Sequence, residues 1–272
     1  MKKIESPTNA SVKYLVSLRK RRQRQAESRT LIEGRREVER ALLNQHPLQQ
    51  LYLSSKALTV SDNGTLFRLA EEAGTEVIEL SDQVFNKVAY RDHPDGIIAV
   101  GATIGATIDT WSVNKNGLYL IADGIEKPGN LGAMARTAEA TCIDAILICG
   151  EGTDIDNPNT IRASQGSIFA IPMITGERRQ VIQRLKKAEI TIYAAMPNAT
   201  RSYWSCNFQG ATAFIIGSES KGLDGQWNQE STTPITIPMA GNTIDSLNAS
   251  LTAGLLLYEA RRQRNTVEAQ RR

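Results

Sequence analysis

The chain has 272 residues, 41% hydrophobic and 22% charged, as is typical of a folded protein with one large or two medium domains. It has a formal net charge of +3, and its pattern includes neither a transmembrane run nor a secretory signal. Its three cysteines and two histidines match no familiar metal-ligand spacing, so we expect no metal site and a reducing, cytoplasmic location.

The first part of the chain is strongly basic. Residues 1–46 contain twelve Lys and Arg against five Asp and Glu, a surplus of seven positive charges, so the remaining residues sum to −4. Residues 8–25 are predicted to form one amphipathic helix that carries Arg19, Lys20, Arg21 and Arg22 near its end. A basic arm on a nearly neutral body favours nucleic-acid binding, with a merely solvated helix face as the alternative.

Strands and helices alternate through the rest of the N-terminal half. Strands are predicted at 30–34, 48–53, 75–80 and 97–103, and helices at 34–43, 64–73 and 81–88. This order predicts a small α/β domain over residues 1–105, followed by a linker at 106–116.

The C-terminal half, residues 117–272, is predicted to form a second α/β domain with a parallel sheet. Its strands are expected at 118–122, 145–149, 191–195, 214–217 and 235–237. Helices are expected from Leu131, at 177–188 and at 247–257. The last helix is apolar on nearly every face, so either the rest of the chain or a second copy should bury it. Ligands of such sheets bind at the carboxyl ends of the strands.

Three loops at those strand ends carry candidate functional residues. In 127–138, Asn130 is a plausible helix N-cap, and Arg136 lies in an apolar helix as either an ion-pair partner or an anion ligand. In 214–223, Glu219 lies between two glycines. The third loop joins the strand at 235–237 to the polar start of the last helix. Dinucleotide and P-loop motifs do not occur, and the few histidines argue against a Ser-His-Asp triad.

Together the three loops resemble the SpoU/TrmH family of RNA ribose 2′-O-methyltransferases over residues 117–264. The first motif, N-x-G-x-x-x-R, matches at Asn130, Gly132 and Arg136. The second matches at Gly217, Glu219 and Gly222. The third matches at Ile237, Pro238, Met239, Ser246, Leu247, Asn248 and Ser250. Ala249 stands where the third motif usually has valine. This change affects the packing of the motif rather than its chemistry.

The resemblance implies an α/β SPOUT domain with a deep trefoil knot, preceded by a small ribosomal-protein-like α/β domain that binds the substrate. It also implies a homodimer that binds S-adenosylmethionine in the knot. The cofactor-binding residues carried over from the family are Gly217, Ile237, Met239 and Leu247, with Met196 and Pro197 added from the loop after the strand at 191–195.

The implied function is methyl transfer to a ribose 2′-hydroxyl of RNA. Ribosomal RNA is the leading substrate, because the basic N-terminal extension is more typical of rRNA-directed members. The alternatives are a tRNA 2′-O-methyltransferase and a non-catalytic RNA-binding assembly factor. By the resemblance, Arg136 is essential, Asn130 orients it or the ribose, and Glu219 ties the loops together.

By the resemblance, Ser246 and Asn248 are expected to fix the knot loop on the substrate side, with simple capping of the last helix as the alternative. Arg162 is expected to join the basic arm in binding RNA. The motifs specify neither the modified nucleotide nor the proton acceptor, and they are compatible with roles in ribosome maturation or antibiotic resistance.

Overall fold

The computed structural model describes residues 1–59, 63–223, 227, 232–241 and 243–270. The chain forms two compact units. The first unit consists of Met1–Ile104 with Asp154–Ala170, and the second of Gly105–Thr153 with Ile171–Arg272. The segment Asp154–Ala170, which the sequence pattern placed in the C-terminal domain, therefore packs with the N-terminal one.

The first unit is built on a five-stranded sheet with flanking helices. Its elements are β1 (Lys2–Ile4), α1 (Ala10–Ser17), α2 (Arg21–Glu27), β2 (Arg29–Glu33), α3 (Arg35–Leu43), β3 (Leu48–Ser54), α4 (Ser55–Leu58), α5 (Gly64–Glu72), β4 (Glu76–Leu80), α6 (Asp82–Val88), β5 (Ile97–Ala102) and, from the second segment, α8 (Pro158–Ser164). The strand order is β1-β4-β3-β5-β2. Strand β5 runs antiparallel to β2 and β3, and the other neighbours are parallel.

The predicted single helix over residues 8–25 is wrong, because α1 and α2 are separated by a turn. The guanidinium group of Arg24 accounts for the break. The carbonyls of Leu18 and Arg19 have no helical partners at this break. The Arg24 guanidinium turns back and donates a hydrogen bond of 2.8 Å to each of them. Arg24 is buried and pairs with Asp154 at 2.5 Å, so the same side chain holds the second segment of the unit.

The apolar stripe of α1 enters the core of the first unit, as predicted. Val12 and Leu15 are fully buried and cluster with Tyr52, Ile78 and Phe85. The α/β character expected for this half is confirmed. Strand β1 at the sheet edge was not anticipated, because three residues carry too little pattern to be recognised.

The second unit contains a seven-stranded, wholly parallel sheet. Its elements are β6 (Ala106–Thr107), β7 (Leu118–Asp123), α7 (Pro128–Ala140), β8 (Ala145–Cys149), β9 (Met173–Thr175), α9 (Arg178–Lys187), β10 (Thr191–Ala195), β11 (Thr212–Ile216), β12 (Thr233–Ile235) and α10 (Ala249–Gln270). The strand order is β12-β10-β11-β7-β8-β9-β6. Every residue of β7 and β11 is buried, as expected of parallel strands covered on both faces.

The last helix, α10, packs against α7 and β11 but is not buried on every face. Ala253, Leu256 and Leu257 have no exposed surface, whereas Leu251 and Tyr258 remain 51% and 57% exposed. Of the two expected sources of cover for this helix, the rest of the chain covers only one side of it, and a second copy stays the prediction for the side that carries Leu251 and Tyr258. Among the described residues, no helix has the length and apolarity needed to cross a membrane.

Candidate active site

The candidate site lies at the carboxyl edge of the second unit's sheet, where neighbouring strands deliver their loops to one place. Strands β12, β10, β11 and β7 are adjacent and parallel. The loop after β10 is tied directly to the end of β12. The amide of Met196 donates to the Ile235 carbonyl at 2.9 Å, and the Thr236 hydroxyl donates to the Pro197 carbonyl at 3.0 Å.

A chain of side-chain hydrogen bonds connects the three motifs. The amide nitrogen of Asn130 donates to one carboxylate oxygen of Glu219. The amide oxygen of Asn130 accepts a bond of 3.1 Å from Asn248. The second Glu219 oxygen accepts the backbone N–H of Glu126 at 2.9 Å. These bonds make one network, in which Asn130 and Asn248 are 118 positions apart in sequence.

The prediction that Asn130 caps a helix is wrong. Helix α7 begins two residues earlier at Pro128, with Lys127 at the N-cap position. Proline is well suited to the first helical position, since it lacks an N–H that would have no partner there. Asn130 is 8% exposed inside the first turn, and its side chain serves the interloop network instead.

Glu219 is held in its charged form by donors. Burial by itself would raise the pKa of this carboxyl. Hydrogen bonds from the Glu126 backbone and the Asn130 side chain outweigh burial and lower the pKa below its usual value. A charged carboxylate at this position can accept two hydrogen bonds at once. It thereby joins α7 to the loop after β11.

Asn248 has two roles, one structural and one within the site. Its side-chain oxygen accepts the backbone N–H groups of Ser250 at 2.9 Å and Leu251 at 3.3 Å, and so caps α10. Its nitrogen is the donor to Asn130. Ser246 is exposed, and the described part of the chain offers it no hydrogen bond; Leu247 is half-buried.

Arg136 is exposed on α7, nearly two turns beyond Asn130. No ion pair or hydrogen bond of its side chain is found within the described ranges, so the structural ion pair that the sequence allowed does not form there. The guanidinium group faces solvent, where it is accessible to an anionic ligand.

The predicted cofactor-binding residues surround the same edge of the sheet. A side chain at Gly217 would place its Cβ 2.5 Å from the carbonyl carbon of Gly222, so the close turn between them requires glycine. Met196 and Met239 are 38% and 37% exposed, and Ile237 is half-buried. Among the described residues, no His, Cys, Asp or Glu cluster could hold a metal ion.

A buried carboxylate at the end of β7 was not predicted from the sequence. Asp123 is 2% exposed, and it accepts bonds from Arg178 at 2.7 Å and from the indole N–H of Trp227 at 2.8 Å. Trp227 follows the Glu219 loop, so Asp123 anchors that part of the chain to the sheet. A carboxylate that ends an otherwise apolar strand was the available signal. Burial raises the pKa of the neighbouring Cys149 thiol to about 12, and the negative charge of Asp123 contributes to the increase. The thiol is therefore protonated and unreactive.

The predicted RNA-binding residues lie in the first unit and differ in their surroundings. Arg19 donates to the carbonyls of Lys87, Val88 and Ala89 at the end of α6, so its guanidinium is used within the fold. Lys20, Arg21, Arg22 and Arg162 are exposed.

Comparison with known proteins defines the class. Residues 117–258 match the SpoU rRNA Methylase family, and residues 9–99 match the MRM3-like substrate binding domain. The chain is 30% identical to the 23S rRNA (guanosine(2553)-2′-O)-methyltransferase RlmP of Bacillus subtilis, over 96% of this chain and 100% of the relative. The chain therefore belongs to the SpoU rRNA methylase family.

Two solved structures are similar over nearly their whole length. A crystal structure of an RNA 2′-O ribose methyltransferase is 36% identical, with a TM-score of 0.80, and covers 97% of this chain and 99% of its own. The SpoU methyltransferase AviRb from Streptomyces viridochromogenes, in complex with AdoMet, is 25% identical with a TM-score of 0.84. That match covers 95% of this chain and 100% of AviRb. The expected SPOUT-type α/β architecture is thus confirmed.

Proposed function

We propose that this protein transfers the methyl group of S-adenosylmethionine to a ribose 2′-hydroxyl of ribosomal RNA. The observation that carries the proposal is the Glu219–Asn130–Asn248 network, which joins the three motifs at one edge of the sheet. The Bacillus subtilis relative and the RNA 2′-O ribose methyltransferase structure support it, because both match over nearly the full chain. The same similarity supports a trefoil knot in the second unit.

The residues present fit S-adenosylmethionine. The close approach of Gly217 to Gly222 leaves no room for a side chain at position 217, and the bare backbone there lets a ligand approach closely. The partly exposed side chains of Met196 and Met239 provide apolar surface for an adenine ring. We assign cofactor binding to these residues together with Pro197, Ile237 and Leu247. When bound, the cofactor supplies an electrophilic sulfonium methyl group.

The chain's own contribution is to orient and activate the ribose hydroxyl, which is a poor nucleophile when neutral. We assign Arg136 to the RNA beside the target hydroxyl, where its fixed positive charge would favour loss of the hydroxyl proton. Asn130 is held by Glu219 and Asn248 and would present a rigid polar surface to the ribose. Ser246 is exposed at the start of the third motif and would contact the substrate side of the pocket.

The exposed face of α10 supports a homodimer. Leu251, the half-buried Leu255 and Tyr258 lie at positions i, i+4 and i+7, which places them on one side of the helix. An apolar stripe of this kind on a helix of the candidate site is suited to pairing with a second copy. Pairing would also bury the residual apolar surface that the single chain leaves open.

RNA binding is assigned to the N-terminal part, which matches a substrate-binding domain. Lys20, Arg21, Arg22 and Arg162 are exposed and can contact phosphates. Arg19 would support them by fixing the turn between α1 and α2. The three cysteines are free thiols, and a ribosomal substrate together with reduced cysteines supports a cytoplasmic location.

Cofactor binding separates this proposal from a non-catalytic RNA-binding protein with the same fold. Isothermal titration calorimetry with S-adenosylmethionine should show binding to the intact chain. A Gly217→Val variant should lose it, because the added side chain collides with backbone of Gly222. Gly210→Val is the control, since nothing lies within 4 Å of a Cβ at that position. No heat of binding at millimolar cofactor would reject the enzymatic proposal.

A further inference from the structure

A series of contacts in the first unit brings together three exposed arginines and one exposed tyrosine. Arg36 and Arg40 are one turn apart on α3, so they share a helix face. Both are exposed. The guanidinium of Arg40 donates to the carbonyl of Gln165 at 2.9 Å, at the C-terminal end of α8.

Helix α8 continues the series toward the tyrosine. Arg162 is exposed and lies three residues before Gln165. Asn159, a further three residues back, donates its side-chain amide to the hydroxyl of Tyr90 at 3.2 Å. Tyr90 is 41% exposed, so its ring is available on the surface while the hydroxyl is held in place.

Two buried carboxylates support this layer from below. Glu33 is 5% exposed and accepts the backbone N–H of Tyr90 at 2.6 Å and that of Arg91 at 3.2 Å. Glu37 is 2% exposed and pairs with Arg91 at 3.4 Å and with Arg36 at 3.2 Å. The negative charges are thus beneath the surface, and the cations and the aromatic ring are on top.

The other acidic groups nearby are mostly occupied. Glu39 pairs with Arg35, and Asp95 accepts the Arg35 backbone N–H at 2.8 Å. Asp92 is exposed at the margin, two residues beyond Tyr90. The surface formed by Arg36, Arg40, Tyr90 and Arg162, here called the Tyr90 surface, is therefore electropositive around an exposed ring.

We infer that the Tyr90 surface binds a single-stranded segment of the RNA substrate, with a base stacked on Tyr90 and phosphates paired with Arg36, Arg40 and Arg162. This inference rests on the proposed function, which makes RNA the substrate. Arginine forks match phosphate geometry, and aromatic rings stack on unpaired bases. The surface is formed by α3, residues 90–91 and α8. Its residues therefore come from parts of the chain before and after the motif at Asn130.

The test measures binding of the full chain to a short fluorescent single-stranded RNA of mixed sequence by anisotropy, without cofactor. Tyr90→Ala should weaken binding at least about fivefold, because one base no longer stacks on the ring. Tyr90→Phe should bind like the unaltered chain, because the ring is kept. The double variant Arg36→Ala/Arg162→Ala should bind with a shallower dependence on salt. The slope of log affinity against log salt concentration should decrease in magnitude by about 0.7 for each phosphate that the variant no longer neutralises.

Arg68→Ala is the matched control, because Arg68 is a 60%-exposed arginine in the same unit that pairs with Glu72 on its own helix. It should leave affinity and salt slope unchanged. An unchanged slope in the double variant, or equal losses of affinity in Tyr90→Phe and Tyr90→Ala, would overturn the inference. Calorimetry with S-adenosylmethionine distinguishes this outcome from failure of the proposed function, since only the latter would leave the unaltered chain unable to bind the cofactor.

Discussion

Replacing Glu219 with glutamine tests the network that joins the three motifs. The two carboxylate oxygens accept hydrogen bonds from the Asn130 side chain and from the Glu126 backbone. A glutamine has only one side-chain oxygen, so it can replace one of these acceptors, and its amide nitrogen would face the other donor. Hydrogen bonds to a charged group contribute about 1.5–3 kcal/mol and neutral ones about 0.5–1.5 kcal/mol. Because Glu219 is half-buried, we take about 1 kcal/mol for each bond, or about 2 kcal/mol in total.

A loss of that size should lower Tm by about 4–8 °C, as measured by calorimetry, and should weaken S-adenosylmethionine binding. The folded pKa of Glu219 is lowered, so the stabilisation is present above the unfolded value of about 4.3 and is lost as the pH falls through the folded pKa. The difference between the two proteins should therefore shrink in acid. Glu139→Gln, which alters an exposed carboxylate on α7, is the control; equal Tm and cofactor affinity in Glu219→Gln and the unaltered chain would refute the role.

Three further predictions concern the rest of the molecule. Leu251→Asp should convert a dimer to monomers in light scattering, because it would bury a charge in the interface, while Leu43→Asp on α3 should not. Burial raises the pKa of the Asp156 carboxyl to about 6, so the folded protein holds this proton more strongly than the unfolded chain. The free energy of unfolding should therefore fall as the pH rises from about 4 to 6, and Asp156→Asn should abolish this trend in thermal melts. Arg19→Ala should lower Tm, whereas Lys20→Ala should lower only RNA affinity; the reverse pattern would exclude these assignments.

The motif residues and the parallel sheet could be predicted from sequence because both have local signatures. Asn130, Glu219 and Asn248 follow apolar strands or begin a helix, and parallel strands bring their carboxyl ends together. Sequence also indicated that the last helix needed cover. It could not indicate that Leu251 and Tyr258 stay exposed in one copy, because hydrophobicity does not identify the packing partner.

The remaining features depend on long-range contacts. A helical pattern at 8–25 does not reveal that Arg24 turns back onto Leu18 and reaches Asp154, 130 residues away. That same bond helps to hold Asp154–Ala170 in the first unit, where local periodicity could not place it. Asn130 illustrates the point within the site: its residue type fits an N-cap, and tertiary contacts assign it to Glu219 and Asn248 instead.

The most direct measurement is methyl transfer from labelled S-adenosylmethionine to purified, unmodified ribosomal RNA, with the product mapped by nuclease digestion and mass spectrometry. We predict a 2′-O-methylated ribose at a defined nucleotide. We also predict that Arg136→Ala yields none while it keeps its fold and its cofactor affinity. A methylated base, or near-normal turnover by Arg136→Ala, would contradict the proposed function.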